Sequence, residues 1–169
     1  MTSEESHAVP ATLLEGRFNG RSEFSELVRR ALAAAAAQGW REIILSDPDF
    51  EDWPLGETVV AQALNDWSGS GRTLTMLAKN YDVVLRRHAR FVTWRKNWSH
   101  LVECRSSAAV ADSLPSALWS PGWVLERLDF QRSTGAAGFD AERRVSLKQR
   151  LNELLLNSSP AFPATFLGL

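Results

Sequence analysis

The chain has 169 residues, 44% of them hydrophobic and 23% charged, and its formal net charge at pH 7 is −1. This length suits one substantial core and is short for two domains. The near-zero net charge offers no global field that would attract nucleic acid or a membrane surface. The single cysteine, Cys104, excludes an internal disulfide and any zinc site that needs two or more thiolates.

The amino terminus and the hydropathy pattern bear on location. The opening MTSEESHAVP is polar and acidic, whereas a secretory signal is basic and then apolar. No apolar run approaches the roughly 20 residues that span a bilayer. Together with the single cysteine, these features lead us to expect a cytoplasmic protein with no membrane span.

The first part of the chain predicts a tail, a strand and a helix. We expect residues 1–10 to form a disordered tail and residues 11–157 to form a single α/β domain. Residues 11–18 predict an opening strand. The helix that follows is expected to begin at a Ser22 cap and to end at Gly39, a residue type favoured just past a helix carboxyl end.

The centre of the chain alternates strands with helices. Residues 41–46 predict a strand buried on both faces, residues 56–67 a helix, and residues 72–78 a second strand. A basic helical segment begins near Asn80, and residues 100–105 predict a third strand. Strands separated by helices of about a dozen residues indicate right-handed crossovers, and we expect a mixed, mostly parallel sheet flanked by helices.

The last third of the chain has weaker signals. Residues 115–119 and 123–128 predict an antiparallel hairpin, and residues 131–138 predict a loop. Asp140 is expected to cap a final helix. The apolar carboxyl-terminal tail, residues 158–169, contains two prolines and so is not expected to be helical. We expect it to dock on the domain or on a second subunit.

Charge is distributed unevenly within the central region. Residues 41–66 carry seven acids against one base, and residues 72–105 carry eight bases against two acids. Guanidinium groups can bind phosphate oxygens while nearby indoles stack on bases. The alternative is a solvated face that is partly paired with the acidic loop. The candidate residues for binding an anionic ligand are Arg86, Arg87, Arg90, Trp94, Arg95, Lys96, Trp98, His100, Ser133 and Thr134.

Two aspartates follow the first buried strand. Asp47 and Asp49 lie where open α/β sheets bind ligands, and an Asp-x-Asp pair there can hold Mg²⁺ and supply a carboxylate nucleophile for phosphoryl transfer. The pattern resembles that of haloacid-dehalogenase-like phosphatases, although Glu51 stands where that family has Thr or Val. The alternative is a loop leading into a helix, with Asp47 or Asp52 as a cap and Pro54 in the first turn.

Support for other chemistry is slight. Cys104 is expected to be a small buried side chain, and His88 falls on the apolar face of its helix, where a core histidine is expected. His100, at the head of a strand, has no identified partner. Neither GxxxxGK[ST] nor GxGxxG occurs, so the sequence has no glycine-rich phosphate-binding loop. We expect no cofactor.

The order helix, REIILSDPDFEDW, helix, RTLTMLAKNYD, basic helix and strand resembles one half of a phospholipase D-like domain, over residues 10–157. The chain is also similar to a family of uncharacterised bacterial proteins of about this length. The reactive motif of the phospholipase D family is His-x-Lys followed four residues later by Asp. His88 is followed by Ala89 and Arg90, and His100 by Leu101 and Val102, so the motif is missing.

That resemblance implies a member without catalytic residues, in which dimerisation replaces the missing second half. The segment QRSTGAAGF occupies the place of the family's Gly/Ser turn and could offer backbone N–H groups to an anion. We therefore expect a homodimeric, non-catalytic domain that binds a phosphate-containing ligand, nucleic acid or a protein partner. Two alternatives stay open: a Mg²⁺-dependent phosphohydrolase that uses Asp47 and Asp49, and a structural protein assembled through its apolar tail.

Overall fold

The protein is described by a computed structural model that covers residues 13–164. The tail predicted at residues 1–10 and the last five residues of the carboxyl-terminal tail lie outside the described residues. In chain order the elements are β1 (Gly16–Asn19), α1 (Arg21–Gln38), β2 (Glu42–Ser46), α2 (Thr58–Trp67), β3 (Thr73–Ala78), α3 (Asp82–Arg87), α4 (Ala89–Asn97), β4 (Val102–Ser107), a short 3₁₀ turn (Ala111–Ser113), β5 (Ser116–Trp119), β6 (Val124–Asp129), β7 (Thr134–Gly138), α5 (Ala141–Leu156) and β8 (Ser158–Pro160).

Within residues 13–164, eight strands form one mixed sheet in the order β1-β7-β6-β5-β2-β3-β4-β8. In that part of the chain, β2, β3 and β4 pair in parallel and the other five strand pairs are antiparallel. The α/β class is therefore correct, but the expectation of a mostly parallel sheet is wrong. The βαβ pattern at the centre does not extend to β5, β6 and β7, which are joined by tight turns that reverse the chain.

The two faces of the sheet carry different amounts of structure. Helices α1, α2, α3 and α4 cover one face, where side chains such as Phe24, Val60 and Phe91 join the main core. On the opposite face, α5 packs alone among the described helices, and its Leu147 and Leu151 contact a second cluster that includes Trp119. The sheet is therefore fully covered on one side and covered by a single helix on the other.

Local signals account for the carboxyl end of α1 and the amino end of α5. Gly39 adopts the left-handed conformation with φ of 69° and its N–H binds the Ala35 carbonyl, as expected of a residue that ends a helix. The Asp140 side chain accepts a hydrogen bond from the Arg143 N–H and so caps α5. Ser22, in contrast, lies inside α1, because the cap position is occupied by Gly20.

The prediction of a loop over residues 131–138 is wrong for most of that segment. Thr134–Gly138 forms strand β7, which lies between β1 and β6. The stretch TGAAG has low strand propensity, since glycine and alanine provide little side-chain surface for packing in a sheet. The hairpin of β5 and β6 is confirmed, with Leu118 opposite Leu125.

The described part of the apolar tail docks on the chain's own domain. Strand β8 pairs with the edge of β4, and Phe162 is buried against Tyr81, with ring centroids 5.2 Å apart. The Arg95 guanidinium donates two hydrogen bonds, of 3.2 and 3.1 Å, to the Phe162 carbonyl oxygen. No helix within residues 13–164 is both long enough and apolar enough to cross a membrane.

Candidate functional site

Arg127 organises the polar groups at the carboxyl ends of β2 and β6. Its Nη2 atom lies 3.1 Å from Asp47 Oδ1, and its Nη1 atom lies 2.9 Å from Asp52 Oδ2. The same guanidinium donates hydrogen bonds of 3.2 Å to the hydroxyl oxygens of Ser116 and Ser133. The side chains of Arg127 and Asp47 are each only 2% exposed, so this is a buried ion pair whose polar atoms are extensively satisfied.

Two aromatic rings hold the Arg127 guanidinium. Its carbon lies 4.7 Å from the centroid of the Phe24 ring in α1 and 4.8 Å from that of Phe130 in the β6–β7 loop. Such cation–π contacts strengthen when the cation is desolvated. The two rings therefore fix the position and the orientation of the guanidinium group. Through its contacts, Arg127 links β6 to α1, to the end of β2, to β5 and to the loop before β7.

Hydrogen bonds and ion pairs hold the segment 47–57, which follows β2, at both of its ends and in its middle. The second carboxylate oxygen of Asp47 accepts hydrogen bonds from the N–H groups of Asp49 and Phe50. Glu51 pairs with Arg87 on the α3 side, while Asp52 pairs with Arg127 on the opposite side.

The end of this segment is tied to α1. Arg29 donates two hydrogen bonds to the Glu57 carboxylate, and the hydrogen-bonded guanidinium holds the pKa of Glu57 below its usual range. The segment therefore lies across the carboxyl edge of the sheet, with its far end fixed at the start of α2. We call residues 47–57 the strap.

A pocket of about 290 Å³ lies above this strap. It is the kind of position where α/β sheets bind ligands, beyond the carboxyl end of a parallel strand. Its lining is strongly acidic, with Arg127 as the one basic side chain. The lining residues are Asp47, Pro48, Asp49, Glu51, Asp52, Ala111, Asp112, Arg127 and Phe130. Because Arg127 is engaged by two of these carboxylates, the pocket repels an anion.

The aspartates proposed as metal ligands lie in this pocket, but they do not form a ligand cluster. Both oxygens of Asp47 are engaged by Arg127 and by backbone N–H groups, and Asp49 accepts a hydrogen bond from the Glu51 N–H. Within residues 13–164, no group of three or more His, Cys, Asp or Glu side chains is arranged to hold a metal ion. Segment 47–57 is a loop, as the alternative held, but neither Asp47 nor Asp52 caps a helix: Asp47 accepts N–H groups within the loop, and α2 begins after Glu57 with no side-chain cap.

The predicted anion-binding residues divide into exposed and buried sets. Arg86, Arg87, Arg90 and Lys96 are exposed on α3 and α4, which meet at His88. Arg87 lies 3.3 Å from Glu51, with both side chains more than half exposed, and Arg90 donates a hydrogen bond of 2.8 Å to the Gly56 carbonyl.

The remaining candidates near these helices have structural contacts. Trp94 is buried in the core, where its indole N–H donates to the Ser68 hydroxyl. Arg95 is also buried and binds the carbonyl of Phe162. Trp98 is half-buried, and its ring centroid lies 5.7 Å from that of the exposed His100. The expectation that Trp94 and Arg95 face a ligand is therefore corrected by their burial.

Ser133 and Thr134 lie at a different place along the sheet edge. Ser133 is buried, with φ of 52°, and accepts a hydrogen bond from Arg127, while Thr134 begins β7 opposite Asn19. The strap stands between them and α3, since Glu51 contacts Arg87 and Asp52 contacts Arg127. The ten candidate residues therefore do not converge on one site.

Sequence reasoning missed Arg127 altogether. Its pairing with Asp47 joins residues 80 positions apart. The one local signal was weak: in VLERLD, Arg127 lies on the same strand face as the apolar Leu125, although Glu126 and Asp129 are charged as well. A charge at such a position requires a buried partner, and the acidic segment after β2 was the available source.

Two titratable side chains, Cys104 in β4 and Tyr81 next to it, are kept neutral by burial. Burial raises the pKa of the Cys104 thiol from its usual 9.0 to about 12, and it raises the pKa of the Tyr81 hydroxyl well above its usual value. The hydroxyl of Tyr81 donates to the backbone carbonyl of Arg105. His88 is also buried, with its Nε2 atom 2.9 Å from the Phe50 carbonyl oxygen, so both Cys104 and His88 belong to the core as predicted.

No family model matches this chain, and no curated protein matches it. Among solved structures, the fold is similar to that of TrmBL2, an archaeal chromatin protein whose structure is described as showing a novel mode of DNA binding. The TM-score is 0.65 at 14% sequence identity, over 92% of this chain and 58% of that one. The likeness establishes a shared fold, and this chain spans little more than half of that protein's length.

Proposed function

We propose that the protein is a non-catalytic nucleic-acid-binding domain and that it contacts the phosphate backbone through one basic face. The basic face consists of Arg86, Arg87, Arg90 and Lys96. The observation that carries the proposal is that all four side chains are exposed on two consecutive helices. Contacts from such side chains to phosphates supply most of the sequence-independent affinity of DNA-binding proteins.

The cations of the basic face are only lightly engaged. Among residues 13–164, no side-chain hydrogen bond or ion pair involves Arg86 or Lys96. The Arg87–Glu51 pair is solvent-exposed, and such pairs contribute little free energy, so a phosphate can replace the carboxylate. The Arg90 guanidinium uses one nitrogen on a carbonyl and keeps other N–H donors for an oxyanion.

The shape of the surface favours a polymer over a small phosphate ester. The four side chains are spread over α3 and α4, which change direction at His88, and a repeating backbone can engage several of them at once. The acidic strap separates this surface from Arg127, since Glu51 pairs with Arg87 and Asp52 pairs with Arg127. A single phosphate would meet at most a few of these charges, and weakly.

Three further considerations support the proposal. TrmBL2, which has a similar fold, is described as binding DNA. The resemblance to one half of a phospholipase D-like domain without its His-x-Lys motif agrees with phosphate contact in the absence of turnover. A cytoplasmic location, expected from the sequence, would give the domain access to nucleic acid.

The experiment is fluorescence anisotropy of a labelled DNA duplex titrated with the protein over a range of salt concentrations. In the variant R86E/R90E we expect affinity to fall by at least about tenfold and the slope of log K against log salt to become shallower by about two. The matched control is R41E/R132E, because both of these arginines are exposed and lie off the basic face.

Unchanged binding by R86E/R90E, or equal losses in this variant and in the control, would show that the basic face is not the binding surface. A binding signal that millimolar inorganic phosphate abolishes at constant ionic strength would instead indicate a small-anion site. No binding of the wild-type protein to any duplex or single strand at low salt would overturn the proposal.

A further inference from the structure

Helix α5 has an unusual outer surface. Along the line directly opposite Leu147 and Leu151, which face the sheet, lie Val145, Gln149, Asn152 and Leu156. We call these four residues the α5 ridge. Val145 is 55% exposed and Leu156 is 84% exposed, so two large apolar side chains stand in water at the two ends of the ridge.

The α5 ridge is uncharged between its two ends although α5 is rich in charge. The helix contains six charged residues among its sixteen, and one of them, Glu142, adjoins the amino-terminal end of the ridge, one turn before Val145. The spacing of the ridge, four, three and four residues, is that of the contact seam in paired helices. The charged residues of α5 are Glu142, Arg143, Arg144, Lys148, Arg150 and Glu153.

The ridge is complementary to itself when it is reversed. If two copies of α5 run antiparallel about a two-fold axis centred between Arg150 and Leu151, Val145 lies opposite Leu156 of the partner subunit. Gln149 then lies opposite Asn152 of the partner subunit, because both pairs of positions are symmetric about the point midway between residues 150 and 151. Apolar side chains meet at both ends, and amides that can hydrogen-bond to each other meet in the middle.

We propose that the α5 ridge is the interface of a homodimer in which the two α5 helices pack antiparallel. A two-fold interface uses the same patch on both subunits, and the palindromic order apolar, amide, amide, apolar satisfies that condition. A buried amide pair at a helix seam specifies register and orientation at a small cost in stability. A parallel arrangement about the same ridge would instead place each residue opposite its own copy.

The surroundings of α5 leave room for the second copy. Among the described helices α5 is the one that covers its face of the sheet, so it projects as a ridge above the strands on either side. A helix of 16 residues is about 24 Å long, and one such contact buries less than the roughly 800 Å² per subunit of a standard interface. Because α5 projects above the strands, the two helices supply most of the contact, and the dimer is expected to be weak and concentration-dependent.

The first test measures the mass of the protein by light scattering after size-exclusion chromatography, over a range of concentrations. We expect a concentration-dependent dimer for the wild-type chain and a monomer for V145E/L156E. The matched control is V59E, because Val59 is 58% exposed on α2, in the opposite layer. A dimer that survives V145E/L156E, or a wild-type chain that stays monomeric into the millimolar range, would overturn the proposal.

The second test reads the orientation and does not depend on the folding of a charge variant. The single variants V145C and L156C are mixed and oxidised, with the buried Cys104 left in place. Antiparallel packing predicts a disulfide-linked heterodimer from the mixture and little cross-linking from either variant alone. Efficient cross-linking of V145C to itself would instead require a parallel pair and would contradict the register.

Discussion

Arg127 shows how one buried cation can fix several loops at once. It pairs with Asp47, which is buried, and with Asp52, which is partly exposed and also lies 3.4 Å from Arg21. Its guanidinium also lies between the rings of Phe24 and Phe130. Because the strap after β2 and the loop before β7 both depend on this side chain, its removal affects the whole carboxyl edge of the sheet.

We predict that R127M lowers the free energy of unfolding by about 3–5 kcal/mol, because it leaves the Asp47 carboxylate buried without its cation. The double variant D47N/R127M should be more stable than R127M. The asparagine carbonyl can still accept the N–H groups of Asp49 and Phe50, and the unpaired charge is gone. Urea unfolding of the wild type, R127M, D47N and D47N/R127M completes the double-mutant cycle. A double variant less stable than R127M would contradict this account.

Strand β7 has little strand propensity of its own, so its formation depends on pairing with the neighbouring strands β1 and β6. It lies between β1 and β6, and β6 has a register irregularity between Arg127 and Asp129 at this point. A Cβ atom on Gly135 would lie 2.0 Å from the Glu126 carbonyl oxygen and 2.9 Å from the Phe18 ring. Glycine is therefore required at this position by close approach, and the same residue weakens the strand's own propensity.

We predict that G135A destabilises the protein by about 1–3 kcal/mol or more, because β7 must shift away from β6 and from Phe18. The matched control is G122A in the β5–β6 turn, where a Cβ atom would meet nothing within 4 Å. Thermal unfolding followed by circular dichroism compares the two. Equal midpoints for G135A and G122A would show that the sheet accommodates the methyl group without cost.

At the scale of the whole molecule, the two proposed surfaces lie in opposite layers. The basic face belongs to α3 and α4, which pack with α1 and α2, whereas the α5 ridge lies beyond the other face of the sheet. In a dimer formed through the α5 ridge, the two basic faces therefore point away from each other. Such a dimer is suited to join two duplexes.

We predict that the wild-type protein, but not V145N/L156N, bridges two duplexes. The measurement uses an immobilised duplex and counts a second, fluorescent duplex captured through the protein. The asparagine substitutions add no charge, so binding of a single duplex should be unchanged. Bridging by V145N/L156N at the wild-type level would mean that the two duplexes are joined by some other contact.

Local chemistry determined a large part of this structure. The continuous apolar run that forms β2, the left-handed Gly39 after α1 and the Asp140 cap of α5 were predictable, because each depends on residues a few positions away. The core positions of Cys104 and His88 followed from the strand and helix patterns in the same way. Periodicity reports which face of an element is buried, and it does so from neighbours along the chain.

The tertiary structure alone decided which elements meet. The predominance of antiparallel pairs, the place of β7 and the pairing of Arg127 with Asp47 all join segments far apart in the chain. It also separated exposed Arg86 and Arg90 from buried Trp94 and Arg95, which sit in one basic stretch of sequence. The physical reason is that the pairing of strands and of side chains depends on the surface that each element meets across the sheet, which residues nearby in the chain do not specify.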